Sequence, residues 1–503
     1  MSSAVRSAES AGPASSHPDP HHDPHHGRRW LVLGVVAIAQ LMVVLDATIV
    51  NIALPSAQRD LGFADTDRQW VVTAYALSFG SLLLLGGKLG DLFGRKTTFI
   101  TGLIGFALAS ALGGAANSFS VLIGARVLQG VFGALLAPAA LSTLATTFTD
   151  PKERSKAFGV FGAVAGGGSA VGLVLGGFLT EWLSWRWCLY VNLLFAAAAV
   201  AGAVVLLRNS RAEHRPRLDL PGTVLASAGL FCLVFGFSEA STRGWTDSLT
   251  LVVLALGVVL LAAFVLVEQR VSAPLLPLRV VVNRVRGTCY AAVGVSAIAI
   301  FAVFLFLTFY VQQVLGFSPI VTGVSFLPLT AGIVLSSTSA NILLLPRFGP
   351  RPLLPVGMSL GATGMFLLTR LTPESSYAGR ILPSLVILGL GFGLIFAPAI
   401  SSATFGVARQ DSGVASAMVN TMQQVGGSIG TALLSTLAAS ATANYARTHT
   451  GSGGAVLAAV HGFTTAFTVS GFIFVGGAIF TAVLLPSGVL RAPVSDSPPV
   501  HAG

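Results

Sequence analysis

Fourteen apolar stretches, each long enough to cross about 30 Å of hydrocarbon as a helix rising 1.5 Å per residue, dominate this chain. They lie near 30–54, 69–89, 97–117, 120–141, 157–180, 187–207, 220–240, 247–267, 287–311, 320–345, 352–370, 380–401, 412–439 and 461–485. A chain with this many runs cannot hide them all in one water-facing globule. Only 10% of the 503 residues are charged, against about 25% in a soluble domain. Mean hydropathy is +0.80. The 57 glycines also fit membrane helices, where small residues let backbones approach. The first run is not a cleaved signal. It is too long, it carries Asp46, and no small-residue cleavage site follows it. The expected class is all-α, a polytopic membrane protein with fourteen spans.

Charge placement tests that count. With the N-terminus in the cytoplasm and the chain alternating sides, 21 of the 29 Lys and Arg fall in inner segments and 7 in outer ones, while Arg126 sits inside a run. This is the positive-inside pattern. One missed or invented span would reverse it downstream. Both termini are therefore expected in the cytoplasm, with the protein multi-pass in a bacterial inner membrane or a plasma membrane. The basic balance, pI 10.1, follows from these anchoring loops and does not point to nucleic acid.

The polar residues outside the runs offer no catalytic domain. Residues 1–29 form a tail with His17, His21, His22, His25 and His26, whose spacing fits no defined metal site. Cys188, Cys232 and Cys289 are odd in number and read as small helix residues. No HExxH, CxxC, paired-carboxylate or Walker A pattern occurs. The chain is expected to be no enzyme and to need no cofactor or resident metal. Any work against a gradient must draw on an ion gradient or a separate subunit.

Ionisable residues inside apolar runs are costly and mark pathways or braces. Asp46, with Asn51 and Pro55 beyond it, lies past the middle of the first run. It is expected to be a proton-titrating or cation-attracting carboxylate in a central cavity, or else a structural partner for a polar group on another helix. Arg126, early in the fourth run, stays charged and needs a carboxylate or carbonyls. Gln129, three residues on, shares its face. Arg126 could meet Asp46, meet a substrate, brace the helices or snorkel to the surface. The fifth run carries Gly162, Gly166, Gly168, Gly172, Gly176 and Gly177. This small-xxx-small surface predicts very close helix packing, with static packing and gating as open readings. Gln312, Gln313, Gln423 and Gln424 are weaker polar signals in the second half.

Four segments together resemble the major facilitator superfamily, and within it the fourteen-helix drug:proton antiporter family. Gly87-Lys88-Leu89-Gly90-Asp91-Leu92-Phe93-Gly94-Arg95-Lys96 is similar to the superfamily's loop between helices two and three. The segment Leu45 to Pro55 is similar to the first-helix motif of the fourteen-helix group. Arg126-Val127-Leu128-Gln129-Gly130 resembles the fourth-helix motif, whose Arg is linked to proton coupling, and the glycine run of the fifth span resembles the antiporter motif. Trp185-Arg186-Trp187 with Asn192, and Ser318-Pro319 after Gly316, agree further. The likeness covers about 30–485. Three positions depart from the family pattern: Leu173 follows Gly172, Leu193 follows Asn192, and Pro346 stands in the second-half echo of Asp91.

The resemblance implies a 6+2+6 arrangement: a cytoplasmic tail at 1–29, a six-helix bundle at 30–207, two inserted helices with linkers at 208–286, a second bundle at 287–485 and a tail at 486–503. It implies a gating charge network of Asp91, Arg95 and Lys96, and proton coupling through Asp46, Arg126, Asn51 and Gln129. The expected function is proton-coupled export of small amphipathic or cationic compounds by alternating access, in a monomer whose partners are a small-molecule substrate, protons and the bilayer. The alternatives are a narrow-specificity metabolite transporter of the same fold and a non-transporting receptor or scaffold.

Overall fold

A computed structural model describes residues 26–65, 67–148, 150–207, 219–271, 274–407, 412–449 and 454–488. The described chain is all-helical. The first half contains α1 (His26–Leu61), α2 (Arg68–Phe93), α3 (Arg95–Gly114), α4 (Phe119–Thr147), α5 (Pro151–Trp182) and α6 (Trp187–Leu206). A hairpin follows, α7 (Leu220–Arg243) and α8 (Ser248–Glu268). A single-turn α9 (Leu278–Val281) leads into α10 (Arg284–Ala302), α11 (Pro319–Ser325), α12 (Leu327–Ser339), the short α13 (Leu345–Phe348), α14 (Pro350–Leu368), α15 (Leu382–Thr404), α16 (Ser412–Thr448) and α17 (Gly454–Leu484). Every apolar run of the sequence lies on one of these helices or on a stack of consecutive helical segments.

Among the described residues, eleven helical stretches are long and apolar enough to cross a membrane. The run on α14 falls outside that set. Pro350, Arg351 and Pro352 at its start dilute its hydropathy. The outward faces of the apolar helices are what a bilayer requires. On α8, Leu251, Val252, Leu256, Val258, Val259 and Leu266 are all exposed, a stripe with no place in water. The protein is a multi-pass membrane protein.

Helix ends are set by local chemistry. Ser118 starts α4 by accepting from Val121 N–H, Asp247 starts α8 by accepting from Leu249 and Thr250, and Asn283 starts α10 in the same way. Gly94 (φ 99°) and Gly349 (φ 72°) turn the chain between α2 and α3 and between α13 and α14, a left-handed conformation only glycine adopts freely. The sequence echo of the first-half loop in the second half is thus also an echo in the backbone. Extra-wide π-helical turns interrupt the second half at Val303–Leu307, Tyr310–Val314, Ala340–Leu344 and Tyr377–Ile381.

Helices α1–α6 pack chiefly on one another, as do α10–α17. The groups meet where α2 lies on α16 and α5 on α11, and α7 lies against both α2 and α16. The α5–α11 seam is tight. A methyl on Gly177 would strike Ile320 and Pro319, and one on Gly323 would strike the Leu173 carbonyl. Around it, Ile320 N–H donates to Glu181 at 3.0 Å, Gln312 Nε2 donates to Ile52 O at 3.1 Å, and the Arg68 guanidinium covers the Phe309 ring at 4.0 Å. At this end the two groups are closed on each other.

Candidate functional site

Four helices of the first half converge on Asp46. The carboxylate is fully buried and Arg126 is 2% exposed. Arg126 Nη1 donates to Asp46 Oδ2 at 2.7 Å, while Gln129 Nε2 and Asn192 Nδ2 each donate to Oδ1 at 2.8 Å. α1 thus supplies the anion, α4 the cation and one amide, and α6 the other amide. Ser110 on α3 ties the amides together. It accepts from Gln129 at 3.1 Å and Asn192 at 2.9 Å, and donates to Leu189 O at 2.8 Å.

Arg126 is held on every side. Its Nε donates to Val71 O at 3.0 Å, its Nη1 also reaches Gln129 Oε1 at 2.9 Å, and its plane lies 4.4 Å from the centre of the Tyr75 ring. This answers the i,i+3 spacing on α4, which puts Arg126 and Gln129 on one face. Snorkelling does not occur. A buried ion pair is worth keeping only when its geometry and remaining hydrogen bonds are nearly complete, and here the carboxylate has three donors. Charged side chains so placed are expected at a site whose bonds change during function.

The surroundings differ from the sequence expectation in two respects. Asp46 faces protein donors and not an open central cavity; a small cavity lies instead beyond Arg126, lined by Val50, Leu54, Val71, Leu122, Trp185 and Cys188 among others. Asn51 is buried but stands apart, spending its amide on Ala47 O of its own helix at 2.9 Å, because five residues along a helix turn it to another face. Ser110 and Tyr75 were not singled out in the sequence, and Asn192 figured only as a motif match. A hydroxyl in an apolar run is too common to signal a site, whereas Asn192 inside a strongly apolar run was a usable clue.

The glycine stripe positions α1. Gly168 packs against Leu41 and Val44, Gly172 against Thr48 and Leu45, and Gly176 against Ile49. These neighbours bracket Asp46, so the absent side chains on α5 set the depth of the carboxylate. The surroundings of Gly162 and Gly166 and the side chain of Asp91 lie outside what the structure describes, as does the histidine tail before His26. Lys96 Nζ donates to Val204 O at 2.6 Å, capping the end of α6, and Arg95 also has a partner. A second cluster sits at the closed end. Asp60 Oδ2 accepts from Trp185 Nε1 at 2.9 Å and pairs with Arg186 at 3.0 Å, while Arg186 Nη2 donates to Ala116 O at 3.0 Å.

The family model of the Major Facilitator Superfamily matches residues 36–431. The chain belongs to the Major Facilitator Superfamily. Among curated superfamily relatives, a puromycin resistance protein of Streptomyces alboniger is 52% identical over 474 residues, covering 94% of this chain and 92% of that protein. A cephamycin export protein of Amycolatopsis lactamdurans is 39% identical, covering 92% of each. Among solved structures, a bacterial homologue of the human lysosomal transporter Spinster, crystallised inward-facing and unoccupied, superposes with a TM-score of 0.63 over 91% of this chain and 97% of that one. At 16% identity this likeness is one of fold. Curated relatives of this superfamily member thus carry names of antibiotic resistance and export.

Proposed function

We propose that this chain exports amphipathic or cationic antibiotics in exchange for protons by alternating access. The observation that carries the reading is the enclosed Asp46–Arg126 pair, joined by Gln129, Asn192 and Ser110. Protonation of Asp46 cancels the charge that holds Arg126 and weakens a bond between α1 and α4. A cationic substrate competes for the same carboxylate when it is ionised. Exchange of partners at one carboxylate therefore ties proton uptake to substrate release, and a network made in one state and broken in the other biases a two-state equilibrium.

The 52% identity to a puromycin resistance protein makes puromycin the first substrate to try. In this reading the chain is of the fourteen-helix antiporter type, with α2, α5 and α14 also spanning. It has bundles at 30–207 and 287–485, the α7–α8 hairpin inserted between them, and both termini in the cytoplasm. The closed α5–α11 seam with the Asp60–Arg186 cluster is then the outer gate. Asp91, Arg95 and Lys96 form the inner one. The unit works as a monomer without a cofactor.

The test is transport by purified protein in proteoliposomes under an imposed pH gradient, screened with puromycin, other cationic amphiphiles and neutral ones. The reading expects accumulation that collapses on adding a protonophore. Accumulation that survives the protonophore contradicts proton coupling, and movement of a single small metabolite to the exclusion of amphiphiles contradicts the substrate class.

A further inference from the structure

Away from Asp46, the base of the α7–α8 hairpin brings two carboxyl groups together. Asp219 caps the start of α7, its Oδ1 accepting from Gly222 N–H at 2.8 Å. Glu268 ends α8, its Oε1 accepting from Leu275 N–H at 3.2 Å and its Oε2 from Leu276 N–H at 3.0 Å. Both residues are 4% exposed. The two carboxyls meet at Gly222, where an added methyl group would run into both Asp219 Oδ2 and Glu268 Oε1. Glycine is what lets the two approach.

One acceptor of the pair is left over. Asp219 Oδ2 is buried and has no donor among the described residues. A buried acceptor without a partner is costly, and two ionised carboxylates side by side in an enclosed place cost more, so such a pair keeps a proton between them. Among the described residues, neither carboxyl pairs with a cation. The charged group acting on Glu268 is Asp219, and Arg270, two residues on, is exposed. On the neighbouring elements, α2 offers Lys88 in its last turns, beside the start of α7, as the Ser227–Ser81 hydrogen bond sets the two helices. Glu239 and Arg243 on α7, Asp247 before α8 and Arg447 on α16 all lie at the far ends of their helices.

We infer that Asp219 and Glu268 form a proton-binding site that holds one shared proton, distinct from Asp46. Its position gives it a mechanical role. One proton bonds the first turn of α7 to the last turn of α8, and Glu268 in turn holds the Leu275–Leu276 backbone of the linker that leads to α10. Loss of that proton sets two negative charges against each other at the joint between the hairpin and the second group of helices.

Infrared difference spectroscopy of the full-length protein in lipid nanodiscs, titrated with pH, reads the carbonyl stretch of protonated carboxyl groups. The wild-type protein is expected to lose one carboxyl equivalent in a step that is missing in both Asp219→Asn and Glu268→Gln, since in each an amide N–H takes the place of the shared proton. Asp46 contributes equally to all three proteins. Persistence of the step in either variant, or its absence from the wild type, overturns the inference. Both variants should also fold, because Asp219→Asn turns the orphaned oxygen into an N–H group facing Glu268 and Glu268→Gln supplies an N–H donor to it; failure of both to fold at any pH equally contradicts the inference.

Discussion

Helices α1–α6 close around an ion pair, two amides and a serine, whereas α10–α17 close around hydroxyl groups. The buried polar residues of the second group, among those described, are serines and threonines such as Ser296, Ser336, Thr436, Ser470 and Thr481. Most of them return a hydrogen bond to the carbonyl four residues back: Ser296 to Ala292, Thr436 to Ala432, Ser470 to Ala466 and Thr481 to Gly477. Such bonds stay within a helix, although Thr436 also donates to Phe237 O of α7 and Ser336 to Gly389 O of α15. In the first group the polar bonds run between helices, from α4 and α6 to α1 and from α3 to α6. Two packed groups of similar helices thus divide the labour. One carries the buried ion pair. The other is lined by neutral hydroxyl groups and holds four π-helical turns.

That division predicts unequal sensitivity to substitution. Arg126→Ala leaves Asp46 buried without its cation, and breaking a buried pair in this way costs about 3–5 kcal/mol. Thermal unfolding of purified protein should show the largest loss of this set, and Arg126→Ala,Asp46→Asn together should recover part of it. Gly172→Leu drives a side chain into Thr48 and Leu45, with an overpacking cost of about 3 kcal/mol. Its yield of folded protein should fall well below that of Gly167→Leu, where the space is open. Ser110→Ala removes the bond to Leu189 O and the shared acceptor of two amides, at about 1 kcal/mol. It should slow gradient-driven transport more than substrate binding. Ser470→Ala in the second group should be smallest, below the roughly 0.6 kcal/mol average for hydrogen bonds between membrane helices, because its bond stays within its own helix, with transport unchanged. A Ser470 effect as large as that of Ser110 would erase the contrast between the halves.

What could be read in advance follows the same physics. Apolar length placed the helices, because a bilayer leaves few ways to satisfy a backbone. Asp46 and Arg126 stood out because ionisable groups in apolar runs are costly, and Gln129 followed from helical spacing. Ser110 did not, since nothing in the sequence separates a serine that bonds across helices from one that bonds its own turn. Asn51 misled for the converse reason: a polar residue near Asp46 in sequence spends its amide on Ala47 O. The π-helical turns and the break between α11 and α12 depend on how neighbours pack, which periodicity does not carry. The Asp219–Glu268 meeting joins residues 49 positions apart through a glycine, and no local pattern announces it.

The account rests on Asp46 as the group through which a proton gradient acts. The direct measurement compares wild type with Asp46→Asn in proteoliposomes, following both gradient-driven accumulation of a transported amphiphile and its exchange at equal pH on both sides. Asn keeps the size of the side chain and its hydrogen bonds to Gln129 and Asn192 in part, but it cannot titrate. The account predicts that Asp46→Asn loses at least about tenfold in gradient-driven accumulation, an effect of about 1.4 kcal/mol, while exchange at equal pH continues. Accumulation by Asp46→Asn at the wild-type rate, still dependent on the gradient, would contradict it.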